Sequence, residues 1–215
     1  MARPPLPPWA RLLVAALGLV LEYFRRRSRA DRSRARPSPR RSPKRASRPA
    51  QERFECLGHC TLLEADGNDG DSFRVRHPDG VSRFRLYWVD TCETRADFPE
   101  RVRHQARYFG IPESRVPEFG ERARSLTLSR LRGGAFEVHT RWEPVMESDR
   151  FHAFVRCDGE WLCQTLVCEG LARIFTLPAP APDGTSEAAF GARLRELERE
   201  ARRERRGAWG ASSLR

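Results

Sequence analysis

Residues 72–77 run Ser72-Phe73-Arg74-Val75-Arg76-His77, with polar and apolar positions alternating, which predicts a β-strand. Pro78-Asp79-Gly80 supplies turn chemistry, and residues 81–89 return as the partner strand of a hairpin. A further strand is expected over 60–65, before the hairpin. Two more are expected over 135–142 and 151–156, and Asp158-Gly159 turns the chain towards Trp161. Between the third and fourth strands the spacing of apolar positions changes and predicts two helices, over 100–109 and 118–131, broken at Gly110-Ile111-Pro112. Residues 162–169 read as a short helix ended by Gly170. Residues 186–206 form a charged helix whose Phe190, Leu194, Leu197 and Ala201 fall on one face. Glu198 and Arg202 sit one turn apart on its exposed side. Five short strands with interspersed helices define an α+β domain. The leading architecture is a five-stranded OB-fold-type β-barrel with about three packed helices plus a helical insertion.

The charge balance divides the 215-residue chain. Its formal net charge is +11, but residues 25–49 alone hold 12 Lys or Arg against Asp31. The remaining 28 basic and 28 acidic residues cancel. The basicity therefore belongs to one segment, and the globular part needs no general affinity for polyanions. That segment is rich in Arg, Ser and Pro and too poor in apolar residues to offset the entropy of ordering. Its stretch of residues 25–48, from Arg25 to Arg48, suits an anionic membrane surface, a nonspecific nucleic-acid contact, or a solvated linker. Before it, residues 12–21 are ten uncharged apolar positions. As a helix they rise only ~15 Å, short for a membrane span and right for a signal-peptide core. Arg25-Arg26-Arg27 follows almost at once and favours retention of that flank. The expected organisation is an apolar targeting or anchor segment over 1–24 and a basic linker over 25–53. A globular domain over 54–210 and a tail over 211–215 follow. The expected location is the cell envelope or secretion, with cleavage and orientation open.

The six cysteines are Cys56, Cys60, Cys92, Cys157, Cys163 and Cys168. An even count permits disulfides without requiring them in a domain of this size. Cys56-Leu57-Gly58-His59-Cys60 has the residue types of a zinc site, but no second Cys/His pair of matching spacing follows it. Structural or disulfide-bonded thiols are the expected reading, with zinc as the alternative.

The chemistry concentrates at the two ends of the predicted hairpin. Asp71, in Asp69-Gly70-Asp71-Ser72, lies at a loop–strand boundary. Arg85, Asp90, Thr91 and Glu93 lie in Phe84-Arg85-Leu86-Tyr87-Trp88-Val89-Asp90-Thr91-Cys92-Glu93. If the ends meet, Asp71, Asp90 and the Thr91 carbonyl present hard oxygens to one point, suited to Ca²⁺ with water and a phosphate oxygen completing its shell. Glu93 is placed to act as general base on a water. Arg85 offers a bidentate fork to phosphate. Any one of these residues alone is usually a solvated surface charge; the combination suits metal-assisted phosphodiester cleavage.

These two stretches resemble the Asp-Gly-Asp-Thr turn and the Phe-Arg-Leu…Val-Asp-Thr-Pro-Glu strand end of the staphylococcal-nuclease-like (thermonuclease) family. Asp149-Arg150-Phe151-His152-Ala153-Phe154-Val155 resembles its second-arginine block, so Arg150 takes that arginine's place. Gly170-Leu171-Ala172-Arg173 and the end at Arg206-Gly207-Ala208-Trp209 are similar to its later segments. The resemblance spans residues 56–210. It implies a five-stranded barrel with three helices and a Ca²⁺-dependent, sugar-nonspecific nuclease that leaves 3′-phosphates, acting on single-stranded DNA and RNA as a monomer. It implies that Asp71, Asp90 and Thr91 ligate calcium, that Glu93 activates or orients water, and that Arg85 and Arg150 neutralise the transition state. The chain departs from the pattern at Cys92, in place of Pro, and at Ser72, in place of Thr. It lacks the family's Lys-Tyr-Gly before the second arginine, and Thr176 and Pro178 replace tyrosines near the base and sugar. Residues 95–117 are longer than the usual connection and read as a surface elaboration, with a gating or partner-binding element as the alternative. The rival to an enzyme is a non-catalytic nucleic-acid or protein-binding module on the same barrel.

Overall fold

The computed structural model describes residues 52–146 and 148–213. The apolar segment at 1–24, nearly all of the basic stretch at 25–53 and the last two residues of the tail lie outside them. Among the described residues no helix is long and apolar enough to cross a membrane.

The architecture is α+β. Among the described residues there are nine strands: β1 (Glu55–Leu57), β2 (Thr61–Leu63), β3 (Ser72–His77), β4 (Gly80–Leu86), β5 (Val89–Thr91), β6 (Phe136–Pro144), β7 (Arg150–Cys157), β8 (Glu160–Trp161) and β9 (Ala172–Ile174). Four α-helices accompany them in the described residues: α1 (Pro99–Phe109), α2 (Val116–Gly133), α3 (Leu162–Cys168) and α4 (Glu187–Arg203). The main sheet runs β1-β6-β7-β4-β3-β2, with β8 on β7, while β5 and β9 form a separate pair. β4 and β7 are parallel, and the other ladders are antiparallel. The hydrogen-bonded path is not closed into a barrel; it begins at β1 and ends at β2, segments of the chain separated only by residues 58–60.

The hairpin forms as its alternation dictates. Phe73 and Val75 of β3 and Phe84 and Leu86 of β4 are buried, while Arg74 and Arg76 face solvent. Ser72 pairs with Arg85, and His77 with Gly80 around a two-residue turn. The return strand is shorter than the expected 81–89. Trp88 has φ 71°, the left-handed region that a bulky side chain enters only when held there. Its N–H donates to the Leu177 carbonyl (3.0 Å), its carbonyl accepts from Phe175 N (2.8 Å), and its indole N–H donates to the Ala179 carbonyl (2.9 Å). The chain therefore leaves the main sheet after Leu86, and β5 pairs with β9.

The core is aromatic and continuous. Phe84 packs on Trp142, and Phe154 on Phe190 of α4. Phe190, Leu194, Leu197 and Ala201 are all buried, as their spacing predicts. Ser186 caps α4 by accepting from Ala189 N (3.2 Å). Pro99 opens α1 and left-handed Gly110 closes it. α1 buries Val102, Ala106 and Phe109, and also Gln105. A buried glutamine on an insertion helix requires polar partners, and they lie in the site.

Candidate active site

The ends of the hairpin do meet. Asp69 Oδ1 accepts from the backbone N–H groups of Asp71 (3.0 Å) and Ser72 (2.6 Å), which fixes the turn before β3. Gly70 is required here, because a Cβ at this position would come within 2.8 Å of Ala123 Cβ and Thr91 Cγ2. That approach brings Asp71 against β5: Thr91 N donates to Asp71 Oδ2 at 2.9 Å, and Thr91 Oγ1 lies 3.4 Å from the same atom. Asp71 Oδ1 accepts from Ser72 Oγ (2.9 Å) and pairs with Arg85 Nη1 (3.1 Å).

Arg85 then joins the two aspartates, because its Nη2 donates to Asp90 Oδ1 at 2.7 Å. Arg101 Nη2 donates to the same oxygen at 2.7 Å, and Arg101 Nη1 pairs with Glu93 Oε1 at 2.7 Å. The other oxygen of Asp90 accepts from Arg173 Nε (2.8 Å) and Gln105 Nε2 (3.0 Å). Gln105 also donates to the Thr91 carbonyl (2.9 Å) and accepts from Glu93 N (2.9 Å). Arg150, on β7, reaches Ser72 Oγ through Nη1 (3.3 Å). All six residues predicted from the sequence thus fall in one network: Asp71, Arg85, Asp90, Thr91, Glu93 and Arg150. Ser72, Arg101, Gln105 and Arg173 complete it.

Arg101 and Gln105 were not anticipated, and the insertion that carries them is more than a surface elaboration. The available signal was their i,i+4 spacing on the same helix as the apolar stripe. α2 also approaches this site: a Cβ on Gly120 would lie 2.4 Å from the Glu93 carbonyl oxygen, so only glycine allows the helix so close.

The electrostatics follow from this packing. Burial by itself lifts a carboxylic acid's pKa, but Arg101, Arg85 and Arg173 outweigh it and hold Asp90 below the ordinary carboxylate range. Burial opposes the charge on Arg85, yet Asp71 and Asp90 raise its pKa further. Asp69 moves the other way, pushed up to about 7 by burial and by the Asp71 charge. Cys92, in the place of the family's proline, is pushed up to about 12 by burial and by Asp90, which keeps its thiol protonated.

In donor type the site fits a hard divalent cation, offering two carboxylates and a peptide carbonyl. In the arrangement described, each of these oxygens already accepts from the protein. Asp90 holds two donors on each oxygen, and the Thr91 carbonyl holds Gln105. A cation at Asp90 competes with Arg85 and Arg101 on one oxygen and with Arg173 and Gln105 on the other, while the Thr91 carbonyl shares Gln105.

Residues 83–211 match the protein-family model described as staphylococcal nuclease homologue. Fold class, site block and matched range agree, and the chain belongs to this nuclease family. The matched range contains Arg85, Asp90, Thr91, Glu93 and Arg150, while Asp71 lies before it. No curated protein matches the chain.

Proposed function

We propose that the chain is a hydrolase that cleaves phosphodiester bonds of single-stranded DNA and RNA with little sugar or sequence preference, leaving 3′-phosphates. The observation that supports this is the continuous run Arg150–Ser72–Asp71–Arg85–Asp90–Arg101–Glu93, in which cationic groups and carboxylates alternate from Asp71 to Glu93 and Ser72 bridges Arg150 to Asp71. Arg85 and Arg150 bind and neutralise the phosphoryl oxygens, a role that commonly contributes ~3–4 kcal/mol per donor. Glu93 takes one proton of the attacking water as the water oxygen bonds to phosphorus, the P–O5′ bond breaks, and the leaving 5′-oxygen takes up a proton from solvent. The substrate phosphate competes with Glu93 and Asp90 for Arg101, which removes the Arg101 ion pair from Glu93 as the strand binds. Calcium, which the family implies, would be held by Asp71, Asp90 and the Thr91 carbonyl and would supply positive charge at the phosphate.

Phe175 gives the strand a stacking surface. It is 61% exposed, and its ring lies 3.9 Å from the Arg173 guanidinium carbon. It stands one residue before Thr176, where the family has a tyrosine. We read the scaffold as a five-stranded OB-type barrel in which β1 and β2 are halves of one bent strand. β1 pairs with β6 and β2 with β3, which supports that reading. The remaining expectations rest on sequence: a monomer, delivered to the envelope or secreted by residues 1–24, with residues 25–48 against an anionic surface.

In the decisive test, the full chain digests labelled single-stranded DNA and RNA with calcium and stops with EGTA. Glu93→Gln lowers turnover by ~10²–10⁴. Undiminished digestion by that variant would overturn the assignment of Glu93. A parent protein that binds strands without cutting them would establish the rival reading, a binding module. The full occupancy of Asp90 by arginine and amide donors favours that alternative.

A further inference from the structure

The Cys56-to-Cys60 segment lacks a metal-binding partner pair in sequence, and the fold supplies one. β1 pairs with β6 so that Cys56 lies directly opposite His139. Directly opposed residues share a face, and Glu137, two positions along β6, shares it too. The opposite face carries Leu57 and Val138, both buried, so the three polar residues point outward. Their ligand atoms all lie within 4.8 Å of one another. Cys56 Sγ is 3.9 Å from His139 Nε2, which is 3.2 Å from Glu137 Oε2. Tetrahedral zinc with ordinary bond lengths sets sulfur and nitrogen ligands about 3.6 Å apart, and nitrogen and oxygen ligands about 3.3 Å apart. These two separations are within a few tenths of an ångström of those values, and the Cys56–Glu137 pair, within 4.8 Å, closes by side-chain rotation.

The hydrogen bonding here is frustrated. One ring nitrogen faces both a thiol and a carboxylate. If Nε2 carries a proton, it satisfies Glu137 and leaves the thiol hydrogen without an acceptor there; if it does not, it meets Glu137 acceptor to acceptor. One cation satisfies all three groups. The ring is steadied by an edge-on contact with Trp161 (5.3 Å between centroids). Glu137 also lines a surface cleft with Gly58, His59, Cys60 and Arg156, and Cys56 and Glu137 are solvent-exposed. Cys60 is not a ligand in this arrangement: its thiol donates to the Leu57 carbonyl (3.1 Å) and is pushed up to about 11 by burial.

We propose that Cys56, Glu137 and His139 form a binding site for a zinc-class divalent ion, separate from the hairpin site, that clamps β1 onto β6. A thiolate and an imidazole select a borderline-soft ion and disfavour calcium. β1 is three residues long and, among the described residues, pairs with β6 alone, so a bound ion would stabilise the sheet end at which it sits.

The test uses the full chain, stripped with EDTA and kept reduced. Residues 1–51 contain no Cys or His to interfere. One equivalent of Co²⁺ should give a thiolate-to-cobalt charge-transfer band that Zn²⁺ abolishes. Zinc, but not calcium, should raise the thermal midpoint in proportion to its saturation of the site. Cys56→Ser should remove the band. His139→Gln should weaken zinc binding at least tenfold and Glu137→Gln less, while Cys168→Ser keeps both signals. Each variant's midpoint without metal shows that it folds. No thiolate band in the parent, or a band that survives Cys56→Ser, would overturn the proposal.

Discussion

Two clusters of metal-ligand residue types stand on this fold, and they have opposite states. At the hairpin end the groups are carboxylates and a carbonyl, deeply buried, with Asp90 surrounded by three guanidiniums and an amide that also donates to the Thr91 carbonyl. On the β1–β6 ladder the groups are a thiol, an imidazole and a carboxylate, largely exposed and poorly matched to one another. Ligand type alone does not tell whether a site is open. The buried cluster carries its own counter-ions and competes with any ion that enters. The exposed one leaves its partners underused.

The strongest way to break this comparison is to remove the charge that the arginines surround. Asp90→Asn leaves Arg85, Arg101 and Arg173 buried or half-buried without their common partner, and should cost about 3–5 kcal/mol in urea unfolding. A loss below 1 kcal/mol, the scale of the exposed Arg115–Glu118 pair, would mean that the network contributes no more than a surface ion pair.

The acid response should come next in size. His152 is buried beside Arg85 and stacked on Tyr87. Burial first, then Arg85, lowers its pKa from 6.5 to about 4. The unfolded chain therefore takes up this proton before the folded one does. The associated stability is fully present above pH 6.5 and is lost as pH falls towards 4, by up to about 3 kcal/mol. His152→Phe should flatten that part of the stability–pH curve relative to the parent. Identical slopes between pH 4 and 6.5 would remove His152 from the account.

Phe175→Ala should weaken binding of single strands by ~1–3 kcal/mol, read as a raised KM with kcat little changed. The smallest expected effect is the most pointed. Arg101→Gln removes one of the two arginines on Asp90 Oδ1 and the ion pair to Glu93 Oε1, and should tighten calcium binding about tenfold by calorimetry, equivalent to ~1.4 kcal/mol. Calcium affinity that does not change would show that Arg101 is no competitor at this site.

The local parts of this picture were legible in the sequence. The β3–β4 alternation, the turn between them and the stripe of α4 are each written within one element. The block from Phe84 to Glu93 is likewise one contiguous run. What the sequence did not disclose depends on contacts between elements. Trp88 reads as one more strand residue, and its left-handed turn is imposed by Leu177, Phe175 and Ala179, about ninety residues away. Gln105 and Arg101 look like ordinary polar positions on an amphipathic helix until that helix is packed against β5. Arg173 lies 83 residues from Asp90 and Cys56 lies 83 from His139, joined only by the β5–β9 and β1–β6 pairings. All six thiols are free, so the even cysteine count carried no disulfide information.

The turn at Trp88 also changes the arithmetic of the strand. Arg85 and Asp90 are five positions apart, an odd number, and a straight strand would send them to opposite faces. The left-handed residue between them resets that parity, which is why a guanidinium on β4 and a carboxylate on β5 can meet at 2.7 Å. The distance from Leu86 to Asp90 therefore behaves as a reading frame. Substitutions within it alter packing one side chain at a time, whereas inserting or deleting one residue would turn the whole acidic block away from its arginine.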